Sequence, residues 1–394
     1  MSDCSEGLAG FEQELLERYK PRYRLDSQEA YVLLSAASMT DNPGNALVAG
    51  DGETIARAGA ANGLGLSTLE RYPTGSPSAA DELRHAESRL ADAVEMALGE
   101  RGDHYPWRVY GRVCEGDGHR WLQYWSWHYH NPKRIIGFGS HEGDWELVQI
   151  GLDPGGTPRQ VTFAQHNGGE SKDWEKLKSV DGTHVVVYVA LFSHAAYFQA
   201  GTQAYGLRFL ADNPDGKGPE VDPILEPFVG WEAWPGRWGR GSDAGRRYEG
   251  KFGGLGPESP RCQEGRYLRP ASFHAGARRR RPKERRVLWN LGRLTYPRRP
   301  EELEVLELGT EAVRVRYKLP WFRRGNRILI TIHDPQRPDA SLIGSGWSPS
   351  RRESEAEVAL IAQPRGREVV ARCSAFNAID QRSVNREASF TGSG

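Results

Sequence analysis

Between residues 107 and 200 the apolar side chains recur at every second position, and this restricts the fold more than any other feature of the chain. The runs WRVYGRVCE, RWLQYWSWHYH, DWELVQIGL, RQVTFAQH and THVVVYVALFSH are aromatic and β-branched, and Gly, Pro, Asn and Asp separate them. The pattern predicts an antiparallel β-sandwich or barrel. Nine of the twelve tryptophans lie between Trp107 and Trp238, and seven of the eleven histidines between His119 and His194, so any chemistry is expected in this middle part.

The flanks read differently. At 394 residues the chain has room for two or three domains. LAGFEQELLERY at 8–19 carries helical spacing and stops before Pro21, and 76–99 predicts a second helix, opened by Ser76-Pro77 and closed by Gly99. The turn-rich stretch between them suggests no element. Residues 201–275, rich in Gly, Pro and Trp, are expected to wrap the β domain as ordered loops. ARRRRPKERR at 277–286 reads as a solvated connector, with a patch for an anionic partner as the alternative. Beyond it, Val313, Val315, Tyr317 and Leu319 alternate with Arg314, Arg316 and Lys318, and RILITIH, EVALIA and EVVARCSAF supply further strands. The expected fold is therefore mainly β. Residues 1–275 form N-terminal helices plus an antiparallel β-sandwich core, 276–297 a basic connector, and 298–394 a smaller fibronectin- or immunoglobulin-like β-sandwich. The last offers no site chemistry and reads as a structural module or a docking module for a protein partner.

Acidic and basic residues balance at 52 each, which gives no global field for nucleic acid. No stretch has the form of a signal peptide or is long enough to cross a bilayer. Cys4, Cys114, Cys262 and Cys373 lack CxxC spacing and read as reduced thiols, so a cytoplasmic location is expected.

SHEGDWELVQI at 140–150 is an odd entry to a buried strand. Alternation puts Asp144, Glu146, Val148 and Ile150 on one face, and burying two unpaired carboxylates there would cost several kcal/mol each. They must lie at a solvent end, pair with arginine or bind a cation. A bend at Gly143 would turn His141 toward them, and His166 in FAQHNGG and His194 in VALFSHAAYF end strands in a comparable way. Mixed oxygen and imidazole donors suit Mg, Ca, Mn or Zn.

The motifs YWSWHYHNP, SHEGDWELV, FAQHNGG, VVVYVALFSHAAYF and WPGRWG, with ERYKPRYRLDSQEAY before them, resemble the vacuolar-protein-sorting-sixty-two-like family over roughly 14–240. YWSWHYHN followed by SHEGDWE is also distantly similar to the necrosis-inducing Nep-like cytolysins. That resemblance implies a β-sandwich on which a divalent cation helps to bind sphingolipid sugar head groups, with His141, Asp144 and Glu146 at the matching ligand positions. Ser140, Glu142 and Gly143 depart from the hallmark, and Asn131 stands nearest to where a further aspartate ligand is expected, with His166 or His194 able to compensate.

Trp231, Trp234 and Trp238, with Arg237 among them, read either as the lid of the core or as a stacking platform for a sugar. Arg237 is also a candidate to neutralise Asp144 or Glu146. Two functional classes follow. One is a divalent-cation-binding protein that recognises a small polar ligand: a sugar, polyol or lipid head group. The alternative is a metal-dependent hydrolase with a metal-activated water and Glu142 or His166 as general base.

Overall fold

The computed structural model describes residues 10–42, 44–58, 64–71, 78–85, 105–132, 141–166, 168–178, 180–201, 203, 212–241, 255–279, 297–322, 325, 327–336, 342–364, 368–376 and 383–391. The period-two stretch forms an antiparallel meander in which Arg108–Gly116, His119–Asn131, His141–Leu152, Pro158–Gln165 and Gly168–Asp173 lie side by side in chain order. Ile224–Pro227 adds a parallel strand at the Arg108–Gly116 edge, and Leu33–Leu34 pairs with His128 and Trp127.

Both faces of this sheet are covered, so the alternation sorts side chains between two cores and not between core and water. In His119–Asn131 every residue from 121 to 130 is buried. One face sends Leu122, Tyr124, Val148, Ile150, Val161 and Phe163 against Leu16, Tyr23, Val185 and Val187. These come from the helix Gly10–Tyr19 and from a sheet containing Arg22–Arg24 and His184–Val189. The other face packs Trp125, Trp127, Tyr129, Trp145 and Leu147 against Leu47, Leu83, Trp231, Trp234 and Trp238. The sheet on that side orders Arg237–Trp238, Glu82–His85, Asn45–Val48 and Thr54–Arg57.

Antiparallel pairing describes the meander but not the covering sheets. Arg22–Arg24 runs parallel to His184–Val189, and Arg237–Trp238 parallel to Glu82–His85. Such pairs join segments far apart in the chain, so no local turn announces them.

The first predicted helix is present as Gly10–Tyr19, with Leu16 and Tyr19 buried. The second is corrected where it is described. Ser78–Asp81 is a turn, closed by the Ser78 N–H on the Asp81 carboxylate, and Glu82–His85 is a strand with Leu83 fully buried. Strand partners on both sides override a helical spacing of apolar residues. The remainder of 76–99 lies outside the described residues. The stretch 201–275 contributes more than loops. Its strands complete sheets, and the helix Pro270–Arg279 runs across the boundary expected at 275 and packs on Gly168–Asp173. The connector beyond Arg279 lies outside the described residues up to 297.

The C-terminal part has two antiparallel sheets. Glu302–Leu308, Ala312–Lys318 and Glu353–Ala359 form one; Leu342–Pro349, Arg327–His333, Glu368–Phe376 and Arg386–Thr391 form the other. Val313, Val315 and Tyr317 meet Ile328, Ile330, Ile332, Val369 and Cys373 in a separate core, while Arg316 faces outward between Glu304 and Glu355.

Candidate functional site

Gly143 sorts the ionisable residues of the strand His141–Leu152. Its φ of +72° lies in the left-handed region, and a Cβ there would stand 2.1 Å from the Trp238 carbonyl oxygen and 2.3 Å from the Trp127 ring. The pairing register stays regular across it, from Asn131 opposite His141 to His128 opposite Asp144. The side chains, however, part company. The Glu142 carboxylate turns to the tryptophan-rich side, where it accepts the backbone N–H groups of Arg240 at 2.9 Å and His85 at 3.3 Å. Burial pushes it up to about 8 despite those hydrogen bonds and the charge of Arg84.

Asp144 and Glu146 face the opposite layer. Asp144 Oδ2 accepts from His194 Nδ1 at 3.0 Å and from Asn131 Nδ2 at 3.3 Å. Burial works to raise the Asp144 carboxyl, but the His194 hydrogen bond and the charges of His141, His194 and His128 outweigh it and hold it below the usual range. Glu146 goes the other way: burial and the neighbouring Asp144 charge raise it well above the ordinary carboxyl value. The two carboxyls are thus pushed in opposite directions, Asp144 toward the anion and Glu146 toward the protonated form.

His194 reaches this point from the facing sheet. Its strand, His184–Val189, ends before a tight turn in which His194 N–H donates to the Ala190 carbonyl and Phe192 and His194 take φ of +76° and +52°. Positive φ at two non-glycine residues is a cost that the surroundings must offset. The buried Glu29 carboxylate helps, accepting the N–H groups of Tyr31 at 2.8 Å and Phe192 at 3.1 Å. It also lies 3.8 Å from His194 Nε2. Burial disfavours the imidazolium, yet Glu29 and Asp144 together raise His194 to about 9. The His128 ring stacks on it with centroids 4.0 Å apart and planes 9° apart. Burial and the His194 charge therefore push His128 well below its usual value.

The sequence candidates are thus brought together in part. His141, Asn131 and His194 gather around Asp144, with Glu146 on the same face; the His141 ring also makes a 2.6 Å contact from Nδ1 to the Gly143 carbonyl. His166, at φ +49°, bonds through Nε2 to Asp212 at 2.7 Å, and the Tyr197 hydroxyl donates to the same oxygen. Glu142, a candidate base, faces away from Asp144. Trp231, Trp234 and Trp238 are at most 2% exposed; Trp231 stacks on Trp145, and Trp238 packs edge-to-face on Trp127 and Trp234 and tilted on Trp231. Arg237 pairs with Glu258 and the Gly256 carbonyl, not with Asp144 or Glu146.

Neither Glu29 nor Asp212 is singled out by the sequence. Glu29 sits in the quoted DSQEAY stretch, but nothing local distinguishes it from a surface glutamate. Three buried polar atoms near the turn, Glu146 Oε2, Ser193 Oγ and His194 Nε2, have no hydrogen-bond partner among the described residues. Native interiors leave few such atoms.

The family described as vacuolar protein sorting-associated protein 62 matches residues 133–211, a span that contains His141, Asp144, Glu146, His166 and His194. The resemblance read from the motifs is met there, over a shorter stretch than 14–240. Among solved structures, NLPPya in complex with glucosamine is similar at 15% identity and a TM-score of 0.30, over 66% of this chain and 90% of that one. The non-toxic HaNLP3 protein is similar at 16% and 0.33, over 72% and 97%. A redesigned β-sandwich protein is similar at 17% and 0.19, over 25% and 96%. No curated protein matches this chain.

Proposed function

We propose that this protein binds a divalent cation at Asp144, Glu146 and His141, with Asn131, His166 and His194 nearby. In this reading it uses the ion to recognise a small polar ligand: a sugar, a polyol or a lipid head group. The observation that carries the reading is the buried Glu146 Oε2, without a hydrogen-bond partner among the described residues, on the same face as Asp144. Carboxylate oxygens with an amide and an imidazole fit Mg, Ca or Mn in kind, and Zn less well. As the side chains stand, no three His, Cys, Asp or Glu among the described residues are arranged around one point for an ion. Binding therefore has to exchange the proton on Glu146 for the cation and loosen His194 from Asp144. When bound, the ion supplies positive charge and open positions for ligand hydroxyl groups. His194 orients Asp144, and Glu29 holds the turn that carries His194.

The C-terminal unit fits the fibronectin type III class in this proposal, because three strands oppose four across one core. The scattered thiols support a cytoplasmic setting.

Calorimetric titration of the chelator-stripped protein with Ca, Mg, Mn and Zn tests the reading. Stoichiometric binding is expected, strengthening as pH rises because Glu146 must lose its proton, and abolished in Asp144→Asn, Glu146→Gln and His141→Ala. Unchanged affinity in all three variants would sink the proposal. Glucosamine and mannosamine, the sugars bound to the NLPPya structures, are the first ligands to titrate into the loaded protein.

A further inference from the structure

At one end of the C-terminal unit three large aromatic side chains stand in solvent: Trp321 is 76% exposed, Phe322 51% and Trp347 42%. Trp321 and Phe322 follow the buried pair Leu319 and Pro320 at the end of the strand Ala312–Lys318. Leu319 N–H donates to the Arg352 carbonyl, which ties this loop to the one between Leu342–Pro349 and Glu353–Ala359. Trp347 lies opposite Leu329, two positions from the pair Arg327 and Pro349 at the same end.

Each exposed ring is accompanied by a guanidinium. Arg352 stands 5.0 Å from the Trp321 centroid, Arg298 4.5 Å from Phe322, and Arg327 4.2 Å from Trp347. The described segments that converge here, PRRP at 297–300, KLPWF at 318–322 and WSPSRR at 347–352, contain no acidic residue. The carboxylates at their borders, Glu301, Glu302 and Glu353, gather on Lys318, and Glu302 is engaged by it at 2.8 Å. The chain as a whole is neutral, so this end concentrates positive charge locally around an apolar tip.

We propose that this end docks on the surface of an anionic lipid bilayer. Trp321 and Phe322 enter the boundary between head groups and acyl chains, and Arg298, Arg327 and Arg352 meet the anionic head groups. Indole and phenyl rings favour that boundary, and a cationic rim holds them there through charge that salt screens. One face of each ring is occupied by arginine, so a base or a pyranose could stack only on the other. Insertion needs only the ring edges and leaves the guanidinium groups at head-group depth. Two inserted rings give shallow, reversible attachment; among the described residues no helix is long and apolar enough to cross a membrane.

Flotation of the full chain with vesicles of phosphatidylcholine, alone or mixed with phosphatidylserine, tests the proposal. Binding is expected only to the anionic vesicles, to weaken at high salt, and to fall roughly tenfold or more in Trp321→Ala/Phe322→Ala. Both residues are exposed, so that variant should melt as the parent does. Asp144→Asn should float as the parent does, which separates this surface from the site proposed above. Absence of binding to anionic vesicles, or binding that survives the double substitution, would overturn the proposal. Retention on single-stranded DNA or heparin without vesicle binding would reassign the surface to a soluble polyanion.

Discussion

Gly143→Ala is expected to cost on the order of 2–5 kcal/mol of folding stability, a large fraction of what holds a domain folded. Two separate terms add. The left-handed backbone conformation at φ +72° costs an L-residue roughly 1–2 kcal/mol. The methyl group would then lie 2.1 Å from the Trp238 carbonyl and 2.3 Å from the Trp127 ring, in a core where overpacking costs a further ~1–3 kcal/mol. Neither neighbour can yield cheaply, because one is backbone and the other is a fully buried indole. Gly118→Ala provides the control: it has the same backbone sign, φ +71°, and nothing within 4 Å of the added carbon. It should cost only the first term, about 1–2 kcal/mol. Urea denaturation of both variants would check the pair, and equal losses would mean that close approach at Gly143 contributes nothing.

The same glycine marks the limit of what the sequence could convey about the site. Strict alternation put Asp144, Glu146, Val148 and Ile150 on one face, and Val148 and Ile150 do share a core with Tyr124 and Phe163. Alternation would put Glu142 on that face too, but its carboxylate is turned to the other at the glycine and held by the N–H groups of Arg240 and His85. The strands of the meander were legible because each is bounded by its own turn and pairs with its neighbour in the chain. Glu82–His85 was not, because its partners lie at 45–48 and 237–238 and its apolar spacing imitates a helix. His194 was picked out as the end of an apolar strand. It sits instead in the turn after it, in a facing sheet, and meets Asp144 across the interior. What fixes that meeting is Glu29, 165 positions away from its partner histidine, and period or composition carries no trace of a contact made at such separation.

That contact also sets how stability should vary with pH. His194 is raised from 6.5 to about 9 in the folded protein, so the fold holds a proton that the unfolded chain releases. The stabilisation is fully present below about pH 6.5 and is lost as pH rises through 9, up to about 3 kcal/mol in total. Glu142, raised to about 8, drifts in the same direction: its folded form keeps a proton that the unfolded chain gives up above pH 4.5, so stability falls between those values. Asp144 opposes them only in acid, where its depressed carboxyl loses stability as pH falls below the ordinary value of 3.8. Denaturation midpoints taken from pH 6 to 10 should therefore decline steadily in the parent. Glu146, also raised, adds to the decline in every variant, so in His194→Gln the starting stability should be lower and the slope between pH 6.5 and 9 clearly shallower, while Glu142→Gln should reduce the slope only below pH 8. His128, stacked 4.0 Å from His194, is held down first of all by burial, so losing the His194 charge does not by itself give it the proton. A parent profile that is flat between pH 6.5 and 9, or a slope that His194→Gln leaves intact, would show that the buried imidazole is neutral and donates to Asp144 as its Nδ1–H tautomer.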